Sequence, residues 1–169
     1  MKLKTLTQMG LLSAVALIIF VVEAQIPVPI PVPGIKLGLA NIVTIFAVWI
    51  LGSWQGAGVL AVRVFLGALF SGNFGTIFYS AAGGALAILT TILLKKILKK
   101  EQLWVAGCLG AIAHSIGQMT MAIAITQTVG LVSYLPVMII CSIITGLFTG
   151  LCAQFLLERG NDFWKTILK

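Results

Sequence analysis

Charge is scarce in this chain of 169 residues. Only 9% of the residues are charged, 60% are hydrophobic and the mean hydropathy is +1.13. Soluble domains carry about a quarter charged residues, so a water-soluble globule and a disordered chain are both excluded. The apolar runs are continuous rather than alternating with a period of two, which argues against a small β-barrel. We therefore expect one all-α integral membrane domain that occupies residues 1–169.

The residues that build most catalytic centres are also few. The chain has one His, four acidic residues and three Cys, which are Cys108, Cys141 and Cys152. This excludes a disulfide scaffold and a metal centre, and no nucleophile lies at a recognisable spacing from a base. The phosphate-binding loop of ATPases is absent as well. We expect a protein that is not an enzyme, with no catalytic residues, metal or cofactor of its own.

Hydropathy predicts a bundle of six transmembrane helices, because a spanning helix needs about 20 mainly apolar residues. The second and third are short and separated only by Gly52 and Ser53, so a single re-entrant hairpin is the alternative to two short spans. The predicted spans cover residues 5–26, 36–51, 54–70, 76–94, 103–126 and 134–157.

The basic residues predict the orientation of this bundle. Nine of the eleven fall in the N-terminus, in a loop at 95–102 or in a tail at 158–169, and the loops near 71–75 and 127–133 have none. The positive-inside rule then places both termini in the cytoplasm. Basic clusters that flank spans contact anionic headgroups, so the net charge of +7 does not indicate nucleic-acid binding. We expect a multi-pass protein of a cell membrane.

Proline occupies every second position from Pro27 to Pro33. Such a segment has few amide donors and cannot form a helix, and its apolar side chains favour a place against the protein. We interpret residues 26–35 as an external lid over a binding cavity, with Lys36 and Asn41 at its inner edge. A stiff connector is the alternative.

A few polar side chains lie within the predicted spans. Arg63 is in the third span, and His114 and Gln118 share one face of the fifth because they are four residues apart. Ionisable groups at membrane depth are costly unless they are paired or face a cavity, so they mark candidate functional positions. Arg63 would bind an anionic group or pair with Glu23. Structural pairing and ordinary packing remain open for Arg63 and His114.

Several blocks of sequence resemble a bacterial membrane family called Gx transporter proteins, also known as heptaprenyl diphosphate synthase component I. The blocks, in order along the chain, are residues 31–43, 78–84, 95–100, 113–118 and 134–136. The family is similar to the substrate-binding (S) components of energy-coupling factor (ECF) transporters. The resemblance implies six helices, an external lid and a binding site in the outer half. It also implies a membrane coupling subunit that contacts small residues of the first helix, Gly10 and Ala14, and two ATPases that use ATP.

These observations lead to one function and two alternatives. The chain is expected to capture a small, largely apolar, anionic molecule from outside, such as a vitamin or a quinone or isoprenoid precursor. The alternatives are an accessory scaffold of a prenyl diphosphate synthase and a stand-alone secondary carrier coupled through Glu23 or His114. The expected ligand-binding residues are Lys36, Asn41, Arg63, Asn73, Tyr79, His114 and Gln118.

Overall fold

The computed structural model describes residues 3–26, 36–72 and 74–160, and all of its regular structure is helical. Two short 3₁₀ turns, Lys100–Gln102 and Val129–Tyr134, precede the last two helices. The six helices are α1 (Leu3–Glu23), α2 (Asn41–Ile50), α3 (Ser53–Ser71), α4 (Gly75–Lys95), α5 (Leu103–Thr126) and α6 (Leu135–Arg159).

Five of the helices, all except α2, are long and apolar enough to cross a membrane. The expected all-α class and helix number are confirmed, and α5 has the predicted bounds. The predicted start of the second helix at residue 36 is wrong, because α2 begins at Asn41 and residues 36–40 are not helical. At ten residues α2 is about 15 Å long, roughly half of the hydrocarbon thickness.

Glycines bring α4, α5 and α6 into backbone contact. A Cβ atom at Gly107 of α5 would lie 2.2 Å from the carbonyl oxygen of Gly146 on α6. A Cβ at Gly117 would lie 2.6 Å from the carbonyl oxygen of Ala82 on α4. Small residues permit this close approach, and close packing is a main source of helix association in a membrane. These three helices therefore form a tightly packed, antiparallel unit.

The short α2 lies at the centre of the bundle. It contacts each of the other five helices, and its residues from Val43 to Val48 are all buried. On one side it packs against α1 and α3, which run parallel to each other, since Gly58 meets Met9 and Gly67 meets Phe20. Because protein surrounds α2, a helix of half length and an adjoining non-helical segment are compatible with a membrane interior.

Candidate ligand-binding site

The non-helical segment at residues 36–40 enters the centre of the bundle ahead of α2. Gly38 has a φ of 85°, a left-handed conformation that glycine adopts without strain. Backbone groups that leave a helix at this depth need other partners, because hydrocarbon offers none. The fold therefore has to supply side chains that take the place of the missing helical hydrogen bonds.

Three side chains from three helices supply those partners. The Gly38 and Ala40 amides donate to the two carboxylate oxygens of Glu23, the second at 3.3 Å. The Lys36 amide donates to Oε1 of Gln118 at 3.4 Å. The hydroxyl of Thr145 donates to the Leu37 carbonyl oxygen, also at 3.4 Å. Glu23 and Gln118 thus hold residues 36–40 in place.

Around this segment lies a group of polar side chains that we call the polar cluster: Glu23, Lys36, Arg63, His114 and Gln118. Glu23, Arg63 and His114 are each 3% exposed, and Gln118 is 1% exposed. The cavity beside them has a volume of about 10 Å³, which is room for about one water molecule. The residues that line it are Phe20, Glu23, Lys36, Gly38, Arg63, Ser80, His114 and Gln118.

Gly83 of α4 makes room for the two polar side chains of α5. A Cβ atom there would lie 2.9 Å from Nδ1 of His114 and 2.8 Å from Cγ of Gln118. The shared face of His114 and Gln118 therefore packs directly on the α4 backbone at this point. The rigid contact between α4 and α5 fixes where both side chains enter the cluster.

Several buried polar atoms in and beside the cluster have no hydrogen-bond partner among the described residues. They include Nε of Arg63, Nδ1 of His114 and both polar atoms of the Asn41 side chain. His114 Nδ1 lies close to the Gly83 backbone, but not in the geometry of a hydrogen bond. Buried polar atoms are nearly always paired in proteins, so this concentration of unpaired donors and acceptors is typical of a site that binds something.

The electrostatics of the cluster favour an anion. Lys36 and Arg63 are both attracted by the single carboxylate of Glu23, which leaves a formal charge of +1 when His114 is neutral. The N-terminus of α2 adds a partial positive charge at the same place. The Lys36 ammonium also lies 3.2 Å from the centroid of the Phe20 ring, in cation–π geometry.

A comparison with protein families adds a finding that agrees with this architecture. The family model of heptaprenyl diphosphate synthase component I matches residues 12–156, which is most of the chain. The chain belongs to this family. Comparisons with curated proteins and with solved structures found no match. The long apolar helices make this member of the heptaprenyl diphosphate synthase component I family a multi-pass membrane protein.

Four of the seven predicted ligand-binding residues line the cavity in this member of the family: Lys36, Arg63, His114 and Gln118. Asn41 lies beside them, because its Nδ2 would be 2.9 Å from a Cβ at Gly38. Tyr79 instead packs among apolar side chains that include Met119 and Met138. Asn73, residues 27–35 of the expected lid and residues 161–169 of the expected tail lie outside the described residues.

The structure also adds a residue that was not among the predicted ligand-binding residues. Glu23 lines the cavity and binds the backbone ahead of α2. A lone acidic residue at the end of an apolar helix was the only signal in the sequence. Gly10 and Ala14 lie on an exposed face of α1, and nothing lies within 4 Å of a Cβ at Gly10. In the described parts of the chain, no three His, Cys, Asp or Glu side chains are grouped as metal ligands.

Proposed function

We propose that this chain is the substrate-binding membrane subunit of an ECF-type importer that captures a small, largely apolar anion. The observation that carries the proposal is the polar cluster, where Lys36, Arg63 and His114 converge at the N-terminus of the central helix. Buried ionisable groups of this kind mark substrate pathways in membrane proteins. The dipole of a helix that starts inside the bundle favours an anionic group at its N-terminus, as in discontinuous transporter helices.

The size of the cavity implies a movement on binding. A volume of about 10 Å³ is far below the ~300 Å³ or more of ordinary ligand sites. Residues 36–40 are the non-helical part of the described structure that borders the cavity, and only a few hydrogen bonds hold them. A ligand would displace this segment, while His114 and Gln118 stay fixed on α4 and α5.

The expected partners follow from the same proposal. A binding subunit of this type does not hydrolyse ATP and is not an enzyme, so two ATPases and a membrane coupling subunit would supply the energy. The face of α1 that carries Gly10 and Ala14 is exposed and its small residues permit close approach of another helix. We assign contact with the coupling subunit to this face.

Native mass spectrometry of the detergent-purified protein tests the binding role. A small molecule should be retained by the wild type and lost from Arg63→Ala, because the guanidinium is the buried cation in direct reach of the cavity. Lys96→Ala is the matched control, since Lys96 is an exposed cation directly after the C-terminus of α4 and does not line the cavity. Equal retention by a folded Arg63→Ala protein would contradict the proposed role of Arg63.

Co-purification separates this function from two others. Recovery of a coupling subunit with a pair of ATPases supports the importer. The name of the matched family favours a second candidate, a membrane scaffold for a prenyl diphosphate synthase, and recovery of a soluble prenyl synthase would support it. A secondary carrier would need neither partner and would transport alone in liposomes.

A further inference from the structure

Glu23 occupies two backbone amides next to the polar cluster. Its two carboxylate oxygens accept hydrogen bonds from the Gly38 and Ala40 amides, immediately ahead of α2. The dipole of α2 favours negative charge at this end of the helix. The chain has thus placed one of its own carboxylates on two amides that are able to donate to an anionic ligand.

The surroundings of Glu23 contain hydrogen-bonding groups that Glu23 does not engage. Arg63 and Lys36 both act on this carboxylate, yet Nε of Arg63 has no hydrogen-bond partner within the described residues. The Asn41 side chain, at the first residue of α2, is 5% exposed and has no partner for either polar atom. An anion bound between Arg63, Asn41 and the amides of residues 38 and 40 would use all of these groups.

The position of Glu23 along the chain makes its departure a local event. It is the last residue of α1, and residues 24–26 form a turn stabilised by hydrogen bonds to Phe20, Val22 and Glu23. Rotation of the Glu23 side chain frees both amides without moving α3, α4 or α5.

We propose that Glu23 is an internal substitute for the substrate, and that the substrate is a carboxylate that displaces it from the Gly38 and Ala40 amides. Release of these amides frees residues 36–40 to make room for the rest of the ligand. The proposal rests on the proposed binding function and extends it by naming the substrate class and the group it replaces.

Chemical rescue of Glu23→Ala tests this inference, because propionate supplies the carboxylate group that the substitution deletes. The unfolding midpoint of purified Glu23→Ala should fall below that of the wild type and rise again with sodium propionate. At propionate concentrations well above the dissociation constant, we expect the unfolding midpoint to rise by roughly 3 °C for each tenfold increase in propionate. Propionamide, which has the same shape but no charge, and sodium chloride at equal ionic strength are the controls. The wild type should respond little, since its own carboxylate fills the position.

The double variant Glu23→Ala, Arg63→Gln shows whether the rescue depends on the cluster. Propionate should fail to stabilise it. If Glu23→Ala does not survive extraction, recovery of monodisperse protein from membranes solubilised in propionate or in chloride replaces the midpoint as the measurement. Rescue by propionamide as strong as by propionate, or no rescue in either measurement, overturns the inference.

The two proposals fail in different ways. Rescue by propionate without a retained small molecule in native mass spectrometry would leave an anion site and remove the importer function. A retained molecule that depends on Arg63, together with no propionate rescue, would keep the binding function and show that Glu23 has only a structural role.

Discussion

The two halves of the bundle are built on different principles. In the C-terminal half, α4, α5 and α6 are long, regular helices whose backbones touch through Gly107, Gly117 and Gly146. In the N-terminal half, the short α2 follows a non-helical segment that side-chain hydrogen bonds hold in place. The C-terminal half holds His114 and Gln118 in fixed positions, and the N-terminal half contains residues 36–40. The proposed binding function requires both, because residues 36–40 would be displaced to make room for a ligand.

The contact between α5 and α6 should be the most sensitive point of the rigid half. Gly107→Ala places a methyl group 2.2 Å from a backbone oxygen that cannot move aside, and we expect a loss of about 3 kcal/mol or more in stability. Unfolding in mixed detergents measures this loss. Gly10→Ala is the matched control, since its Cβ meets nothing within 4 Å and alanine favours the helix. Equal effects of the two substitutions would show that α5 and α6 are not tightly packed.

Neighbouring glycines of α4 separate packing from ligand binding. Gly83→Ala pushes on His114 and Gln118, whereas Gly84→Ala meets only the flexible end of Leu60, at 2.9 Å. We expect similar modest losses of stability from the two substitutions. Only Gly83→Ala should also lower the affinity for the small molecule that we expect the wild type to retain. The expected loss is about tenfold, which corresponds to about 1.4 kcal/mol. Equal affinities would mean that the rigid half does not position the ligand contacts.

Lys36 tests the contribution of the cation in the non-helical segment. Lys36→Met removes the ammonium, which lies over the Phe20 ring at the cavity. We expect retention of an anionic small molecule to fall by about tenfold, which corresponds to about 1.4 kcal/mol, because one of the two cations of the polar cluster is lost. Native mass spectrometry measures this retention. Unchanged retention would exclude Lys36 from the site.

The smallest effect is expected where the two halves meet at the end of α2. The Lys95 ammonium donates a hydrogen bond of 2.6 Å to the Val48 carbonyl oxygen, near the C-terminus of α2. Lys95→Met should cost about 1 kcal/mol of stability without changing ligand retention. Lys96→Met removes an exposed charge from the next position and should cost nothing measurable. A loss of ligand retention in Lys95→Met would show that a change at the C-terminus of α2 affects the polar cluster at its N-terminus.

The sequence was sufficient for the features that depend on local composition. Five long apolar helices follow from hydropathy alone, and the 103–126 prediction matches α5 at both ends. Arg63, His114 and Gln118 were identified because polar groups are expensive in hydrocarbon, and Lys36 because it borders the proline-rich segment. The structure brings all four to one cavity. The cost of burial makes such residues visible without any knowledge of the fold.

Features that depend on distant parts of the chain were missed. Residues 36–51 have the apolar character of a span, and the break before Asn41 requires Glu23 of α1 and Gln118 of α5 as substitute partners. Tyr79 was also among the predicted ligand-binding residues, and the structure places its side chain in an apolar group with Met119 and Met138 rather than at the cavity. Local pattern does not reveal which helix a side chain faces.

The central place of α2 has a consequence for how the protein is made. Four of the five helices around α2 follow it in the chain, so the ribosome has not yet synthesised them when α2 enters the membrane. Until α5 has been inserted, Gln118 is not available to accept the hydrogen bond from the Lys36 amide. The ten-residue α2 is also too short to cross the lipid by itself. Insertion of this segment must therefore be completed late, with the C-terminal helices serving as the surface on which the N-terminal half settles.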